Sequence, residues 1–210
     1  MTAARPIAFV VLAGGKSRRM GSDKRALRLG KETLLDRAVA LARAARDLSA
    51  RDGPIVVSGD ARAEGVMVIA DRRANLGPVE AIASVAAALA QDVGAVVFFP
   101  VDMPLLEAKD LAALVCPIET PTAHAPKGVL ALSYVGFELP MAIVLNATTR
   151  ELIEGVAHGP RRSIRALLCA LSVQEVDPPP AVRMQNTNTV QEWEQMMNTL
   201  PKGGPSGIKQ

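Results

Sequence analysis

The sequence predicts an α/β fold: a three-layer sandwich with a mostly parallel central sheet and an irregular second half. Three observations predict it. Short apolar runs alternate with longer stretches of helical periodicity through the first half of the 210 residues, the pattern of parallel strands covered by helices on both faces. The first run, Ile7–Leu12, passes directly into a glycine-rich, cationic loop. Two further runs are followed by carboxylates, Asp71 and Asp102, on what would be the same sheet edge, where ligands of such sheets bind.

Taken in order, Ile7–Leu12 is a continuous apolar run suited to a strand buried on both faces. Thr33 to Asp47 places Leu34, Leu35, Ala38, Val39 and Leu41–Ala42 on one helical face with arginines opposite. Pro54–Ser58 and Val66–Ala70 are β-branched runs bounded by proline, glycine or charge. Asn75-Leu76-Gly77-Pro78 opens a helix through Leu89, with Pro78 in its first turn. Gly94 to Val101 is another buried strand and ends at Asp102. Beyond it, Lys109–Val115 reads as helical. Val129–Tyr134 and Met141–Leu145, flanking Gly136-Phe137-Glu138, read as a hairpin or as two strands leaving the main sheet. Ala147–Val156 and Arg161–Leu171 are helices, Ser172–Val176 returns as a strand, and Pro178-Pro179-Pro180 is a non-helical connector. Thr189–Leu200 is a helix capped by Thr189. One domain over residues 1–200 and a flexible tail at 201–210 are expected.

Composition narrows the function. Hydrophobic residues make up 49% but aromatics only 3%, so Ala, Val, Leu and Ile must build the core. A net charge of +3 without a basic run, and with one Trp, one Tyr and four Phe, lacks the charged stripe and stacking platforms of a nucleic-acid binder. It suits small anionic substrates. Cys116 and Cys169 lie in apolar surroundings and read as buried small hydrophobes. With His124 and His158 they form no recognisable metal spacing, and the histidines read as structural or exposed. Neither a signal-peptide pattern nor a membrane-length apolar run is present, so a soluble, cytoplasmic protein is expected.

Residues 12–24, Leu-Ala-Gly-Gly-Lys-Ser-Arg-Arg-Met-Gly-Ser-Asp-Lys, carry most of the information. Glycines let the main chain turn tightly and aim N–H groups at a bound anion, and Lys16, Arg18, Arg19 and Lys24 add positive charge. A strand ending in such a loop reads as a polyphosphate cradle. The Walker A pattern fails because Val10 stands where its first glycine belongs, and the dinucleotide fingerprint fails at Lys16 and Ser17. Lys24 and Arg19 would neutralise a triphosphate and its departing pyrophosphate.

Asp102 stands in Phe98-Phe99-Pro100-Val101-Asp102-Met103-Pro104. Magnesium prefers one or two carboxylates together with phosphate oxygens and water, which makes Asp102 the Mg2+ ligand. A helix N-cap before Pro104 is the competing reading. Asp71 suits a base or ribose contact, since guanine presents N–H donors that a carboxylate accepts. A solvated turn aspartate beside Arg72 and Arg73 fits the sequence equally. Asn186 and Asn188, in Asn186-Thr187-Asn188-Thr189, offer amides to a polar ligand or simply make a turn. Arg161 and Arg162 lead into a helix start and could meet a phosphate there.

Residues 12–24 resemble the nucleotidyltransferase signature Leu-Ala-Gly-Gly-x-x-x-Arg-Met-Gly-x-Asp-Lys. With Gly77-Pro78-Val79, Asp102-Met103-Pro104, Leu139-Pro140-Met141-Ala142 and Asn186-Thr187-Asn188-Thr189 following in order, the chain is similar, from Ile7 to about Leu200, to the molybdenum cofactor guanylyltransferases. Gly14, rather than alanine, favours the guanylyl branch.

The resemblance implies a Rossmann-like fold. It puts GTP in a nucleotide-binding half, about residues 1–107, and molybdenum-molybdopterin in a pterin-binding half, about 108–200, where Asn186 and Asn188 would contact it. It implies that Leu12, Ala13, Gly14, Gly15 and Lys24 hold the nucleotide, that Asp71 contacts it and that Asp102 binds Mg2+. Transient contact with molybdoenzymes or other cofactor-biosynthesis proteins is also implied, and neither nucleic acid nor membrane is a partner. The sequence departs from the family where an asparagine often ends the third strand, here Ser58, and around Gly136–Leu139 on the pterin side.

The implied reaction moves GMP from GTP to the terminal phosphate of the molybdenum pterin and releases pyrophosphate. An anionic phosphate nucleophile needs no general base, so alignment and charge neutralisation would carry catalysis. The alternatives are a nucleotidyltransferase with another nucleotide or acceptor, such as a CTP-dependent pterin or sugar-phosphate enzyme, and a non-catalytic cofactor chaperone.

Overall fold

The computed structural model describes residues 5–14, 24–29, 31–61, 63–115, 128–187, 191–192 and 195–196, with the main chain alone at Lys24 and Leu29. Strand β1 (Ile7–Leu12) lies inside a seven-stranded sheet, and all six of its residues are buried. On one side it pairs in parallel with β4 (Ile55–Ser58), which pairs in parallel with β5 (Met67–Ile69). On the other it pairs in parallel with β6 (Ala95–Pro100). Chain order therefore reverses direction between β1 and β6, and the crevice beyond the carboxyl ends of two such strands is where this architecture binds ligands.

Beyond β6 come β8 (Met141–Val144), β7 (Ala131–Tyr134) and β9 (Val173–Val176), with β8 antiparallel to both neighbours and β9 parallel to β7. The segments flanking Gly136 thus form a hairpin, but inside the main sheet rather than leaving it. The reason is burial: all of β7 and Met141–Ile143 of β8 are enclosed, and such strands need cover on both faces. Strands β2 (Arg28–Leu29) and β3 (Glu32–Thr33) make a separate two-stranded ribbon.

Alternate residues of β1 feed two cores. Ile7, Phe9 and Val11 pack with helices α1 (Leu34–Leu48) and α3 (Ala108–Ala112). Ala8, Val10 and Leu12 face the opposite layer, which holds α2 (Pro78–Ala88), α4 (Ala147–His158) and α5 (Ile164–Ala170). Helix α1 starts at a capping box in which Asp36 N–H donates to Thr33 Oγ1 at 3.0 Å and Thr33 N–H donates back to Asp36 at 3.3 Å. Asn146 caps α4 by accepting from Thr149 N–H at 2.9 Å.

Helix α5 corrects an expectation. It begins at Ile164 after Ser163, so Arg161 and Arg162 lie in the preceding loop, exposed, with Arg162 Nε donating to Gly159 O at 3.0 Å. Its buried residues are Ile164 and Leu167. Cys169, two positions past Leu167, falls on the far side and is exposed, not a buried apolar thiol. Cys116, His124 and the expected cap Thr189 lie outside the described residues, while Gln191, Glu192, Gln195 and Met196 are helical. Among the described residues no helix is long and apolar enough to cross a membrane.

Candidate active site

The β1–β6 pairing builds the site. Leu12 lies opposite Pro100, and Val101 N–H donates to Leu12 O at 3.3 Å. Residues 12–14 and Asp102 therefore leave the sheet side by side. They line a cleft of about 680 Å³ together with Arg25, Glu138 and Asn186. Its apolar lining includes Phe137, Leu139, Ile164 and Met184.

Asp102 is not a helix cap. Helix α3 is capped by Glu107, whose N–H donates to Asp110 at 2.9 Å, and Asp102 stays in the turn above the strand end. From behind, Thr187 donates its N–H at 2.9 Å and its hydroxyl at 3.3 Å to the Asp102 main-chain carbonyl. That segment is anchored by Arg183, which reaches Glu107 at 2.8 Å and the buried Asp110 at 3.2 Å. Asn186 is thereby set in the wall beside Asp102.

Asp71 follows β5 and turns inward. A Cβ added at Gly14 would stand 3.5 Å from Asp71 Oδ2, and Asp71 Oδ1 is buried with no hydrogen-bond partner among the described residues. Its carboxyl is pushed up by burial, then by the charges of Glu80 and Asp60. The solvated-turn reading fails because the neighbouring arginines point elsewhere. Arg73 Nε donates to Glu80 at 3.0 Å and Arg72 pairs with Glu154 at 2.8 Å. Glu80 is 1% exposed. Burial raises its pKa, but hydrogen bonding to Arg73 and the charges of Arg73 and Arg72 win and hold it below the usual value.

Ser58, at the end of β4, lies opposite Leu12 and is fully buried, with no partner for its hydroxyl among the described residues. Gly59 follows at φ +106°, and a Cβ there would come 3.1 Å from Gly14 Cα. Only glycine lets this loop pack against the start of the cradle.

Leu12, Ala13, Gly14, Asp102 and Asn186 thus share one cleft, with Asp71 against its edge and Ser58 at the adjoining strand end. Gly15, Arg19 and Asn188 lie outside the described residues, and for Lys24 only the main chain is described, in a 3-10 turn Lys24–Ala26. Arg161 and Arg162 are not among the described lining residues. Sequence reasoning missed Arg25, Gly59, Glu80 and Thr187. Arg25 was the one with a signal, as a further cation immediately after Lys24.

The family model for the MobA-like NTP transferase domain matches residues 9–174. A molybdenum cofactor guanylyltransferase of Xanthomonas euvesicatoria pv. vesicatoria (strain 85-10) is 37% identical over 207 residues, covering 96% of this chain and 100% of that one. Another, from Rhizobium johnstonii (strain DSM 114642 / LMG 32736 / 3841), is 36% identical over 173 residues, covering 81% and 78%. The crystal structure of molybdopterin-guanine dinucleotide biosynthesis protein A from Archaeoglobus fulgidus superposes with a TM-score of 0.69 at 18% identity, covering 91% and 97%, a likeness of fold. The chain belongs to the molybdenum cofactor guanylyltransferases, within the MobA-like NTP transferases. It is a nucleotidyltransferase.

Proposed function

We propose that the protein transfers GMP from GTP to the terminal phosphate of molybdenum-molybdopterin, giving the guanine dinucleotide cofactor and pyrophosphate. The observation that carries this reading is the single cleft shared by the Leu12–Gly14 main chain and Asp102. A phosphate oxygen of the pterin attacks the α-phosphorus of GTP, the bond to the β-phosphate breaks, and pyrophosphate departs. The backbone at 12–15 holds the triphosphate, Lys24 and Arg19 neutralise it, and Asp71 and Ser58 meet the nucleoside. Asp71 Oδ1 and Ser58 Oγ lack partners among the described residues, as befits groups that a ligand satisfies.

Residues 1–107 form the nucleotide half and 108–200 the pterin half. Phe137, Leu139, Ile164 and Met184 offer apolar surface to a flat ring, with the amide of Asn186 for its polar edge; Asn188, outside the described residues, would add a second amide. Asp102 would hold Mg2+. Its donors would be this carboxylate together with substrate phosphate oxygens and water, the set magnesium accepts. When bound, the ion supplies charge neutralisation to the phosphates. The relatives' names, which put the chain in molybdenum cofactor biosynthesis, are what favours work in the cytoplasm and transient contact with molybdoenzymes or other cofactor-biosynthesis proteins.

The test is a panel of GTP, ATP, CTP and UTP with magnesium, read by thermal shift. GTP at a hundredfold excess over its Kd should raise Tm by about 5–10 °C. Stabilisation by CTP alone contradicts the guanylyl assignment.

A further inference from the structure

Arg25 follows Lys24 directly, in the 3-10 turn Lys24–Ala26. It lines the cleft with Leu12, Ala13, Gly14 and Asp102, and its side chain is three-quarters enclosed. Its Nη1 pairs with Asp60, whose own side chain is 86% exposed. Asp60 comes immediately after Gly59, the residue packed on Gly14. The pair therefore joins the exit of the cradle loop to the adjoining strand-end loop. An ion pair with one partner so open to water is worth little. A triphosphate brings several negative charges and oxygens matched to the guanidinium fork, and Arg keeps its charge at any working pH.

We propose that Arg25 is a further polyphosphate-binding residue of this chain, held at the cleft by Asp60 and exchanged onto the nucleotide's phosphates when they enter. The inference rests on the nucleoside triphosphate reading above and concerns the phosphates, so it does not depend on which base is chosen. Asp60 is then a competitor for Arg25 as well as its holder. Neutralising the two residues must act on phosphate affinity in opposite directions. A pair that merely braces the loop would be weakened equally by either change.

The experiment uses the full chain and its Arg25→Gln, Arg25→Lys and Asp60→Asn variants. Kd is measured calorimetrically for magnesium GTP, magnesium CTP and inorganic tripolyphosphate at low and moderate salt. Arg25→Gln should weaken tripolyphosphate and the bound nucleotide about 5–20-fold, with a shallower salt dependence. Arg25→Lys should lose less, because it keeps the charge and gives up only the fork. Asp60→Asn should tighten the same ligands about 2–5-fold. Unchanged affinity in Arg25→Gln, or weakening of similar size in both Arg25→Gln and Asp60→Asn, overturns the inference. Wild-type binding of tripolyphosphate and CTP but not GTP would defeat the guanylyl reading while leaving the Arg25 comparison decisive. Failure of the wild type to bind any of the three overturns both.

Discussion

Thr187 fixes Asp102 from the opposite end of the chain: its N–H and its hydroxyl both donate to the Asp102 carbonyl, at 2.9 and 3.3 Å. The turn carrying the carboxylate is thus held by the segment that carries Asn186. Thr187 is 1% exposed. Thr187→Val keeps the shape and the N–H bond but loses the hydroxyl bond. It should cost about 1 kcal/mol, or ~2–4 °C in Tm. The kcat for pyrophosphate release should fall about tenfold with a smaller change in KM for GTP, and Thr187→Ser should restore most of it.

Asp71 trades stability for binding. Its carboxyl is raised by burial first, then by Glu80 and Asp60, so folding disfavours its charged form. Stability is therefore lost as pH rises from the ordinary value of 3.8 through the folded-state value, and the whole penalty stands at neutral pH. Asp71→Asn should melt about 2–4 °C higher than wild type at pH 7, for ~1 kcal/mol of relieved penalty. The gap should close on acidification, and the variant should bind GTP more than tenfold more weakly. Melting curves across pH, with GTP titrations at pH 7, check both halves.

Glu80 behaves in the opposite sense. Burial works against its charge, but Arg73 and Arg72 hold its pKa below the ordinary 4.5. It stabilises the fold above pH 4.5, and that contribution disappears as pH falls through its folded-state value. Glu80→Gln should cost about 1–3 kcal/mol at pH 7, since the two arginines remain partly in water. It should also flatten the acid limb of the Tm–pH curve. Because Arg73 also donates to Ala157 O at 3.0 Å, loss of Glu80 should loosen the loop that presents Asp71 and raise KM for GTP several-fold.

Features set by local pattern were legible in the sequence. Strand β1 is a continuous apolar run, α1 shows its stripe from Leu34 to Ala45, and Asp102 sits at the end of an apolar run, two residues before Pro104. The meeting of Gly14 and Asp102 was legible too, because parallel strands end on one edge. What could not be read depends on partners distant in sequence. Nothing near Met141 shows that it lies opposite Phe98, and this pairing puts β8 in the main sheet. Glu80 reads as a helix-start acid until Arg73 and Ala157 close over it. Thr187 reads as a turn residue because its partner lies 85 residues away. Cys169 was misread because the apolar letters around it conceal which face of α5 is covered.

The proposed reaction requires the Leu12–Gly14 backbone and Asp102 to act on one bound triphosphate. Pyrophosphate release from GTP, with magnesium and molybdenum-molybdopterin, in wild type and Asp102→Asn tests it most directly. The expected result is a fall of at least about a hundredfold in kcat for the variant, with the fold intact and GTP still bound. Turnover by Asp102→Asn within a few-fold of wild type would contradict it.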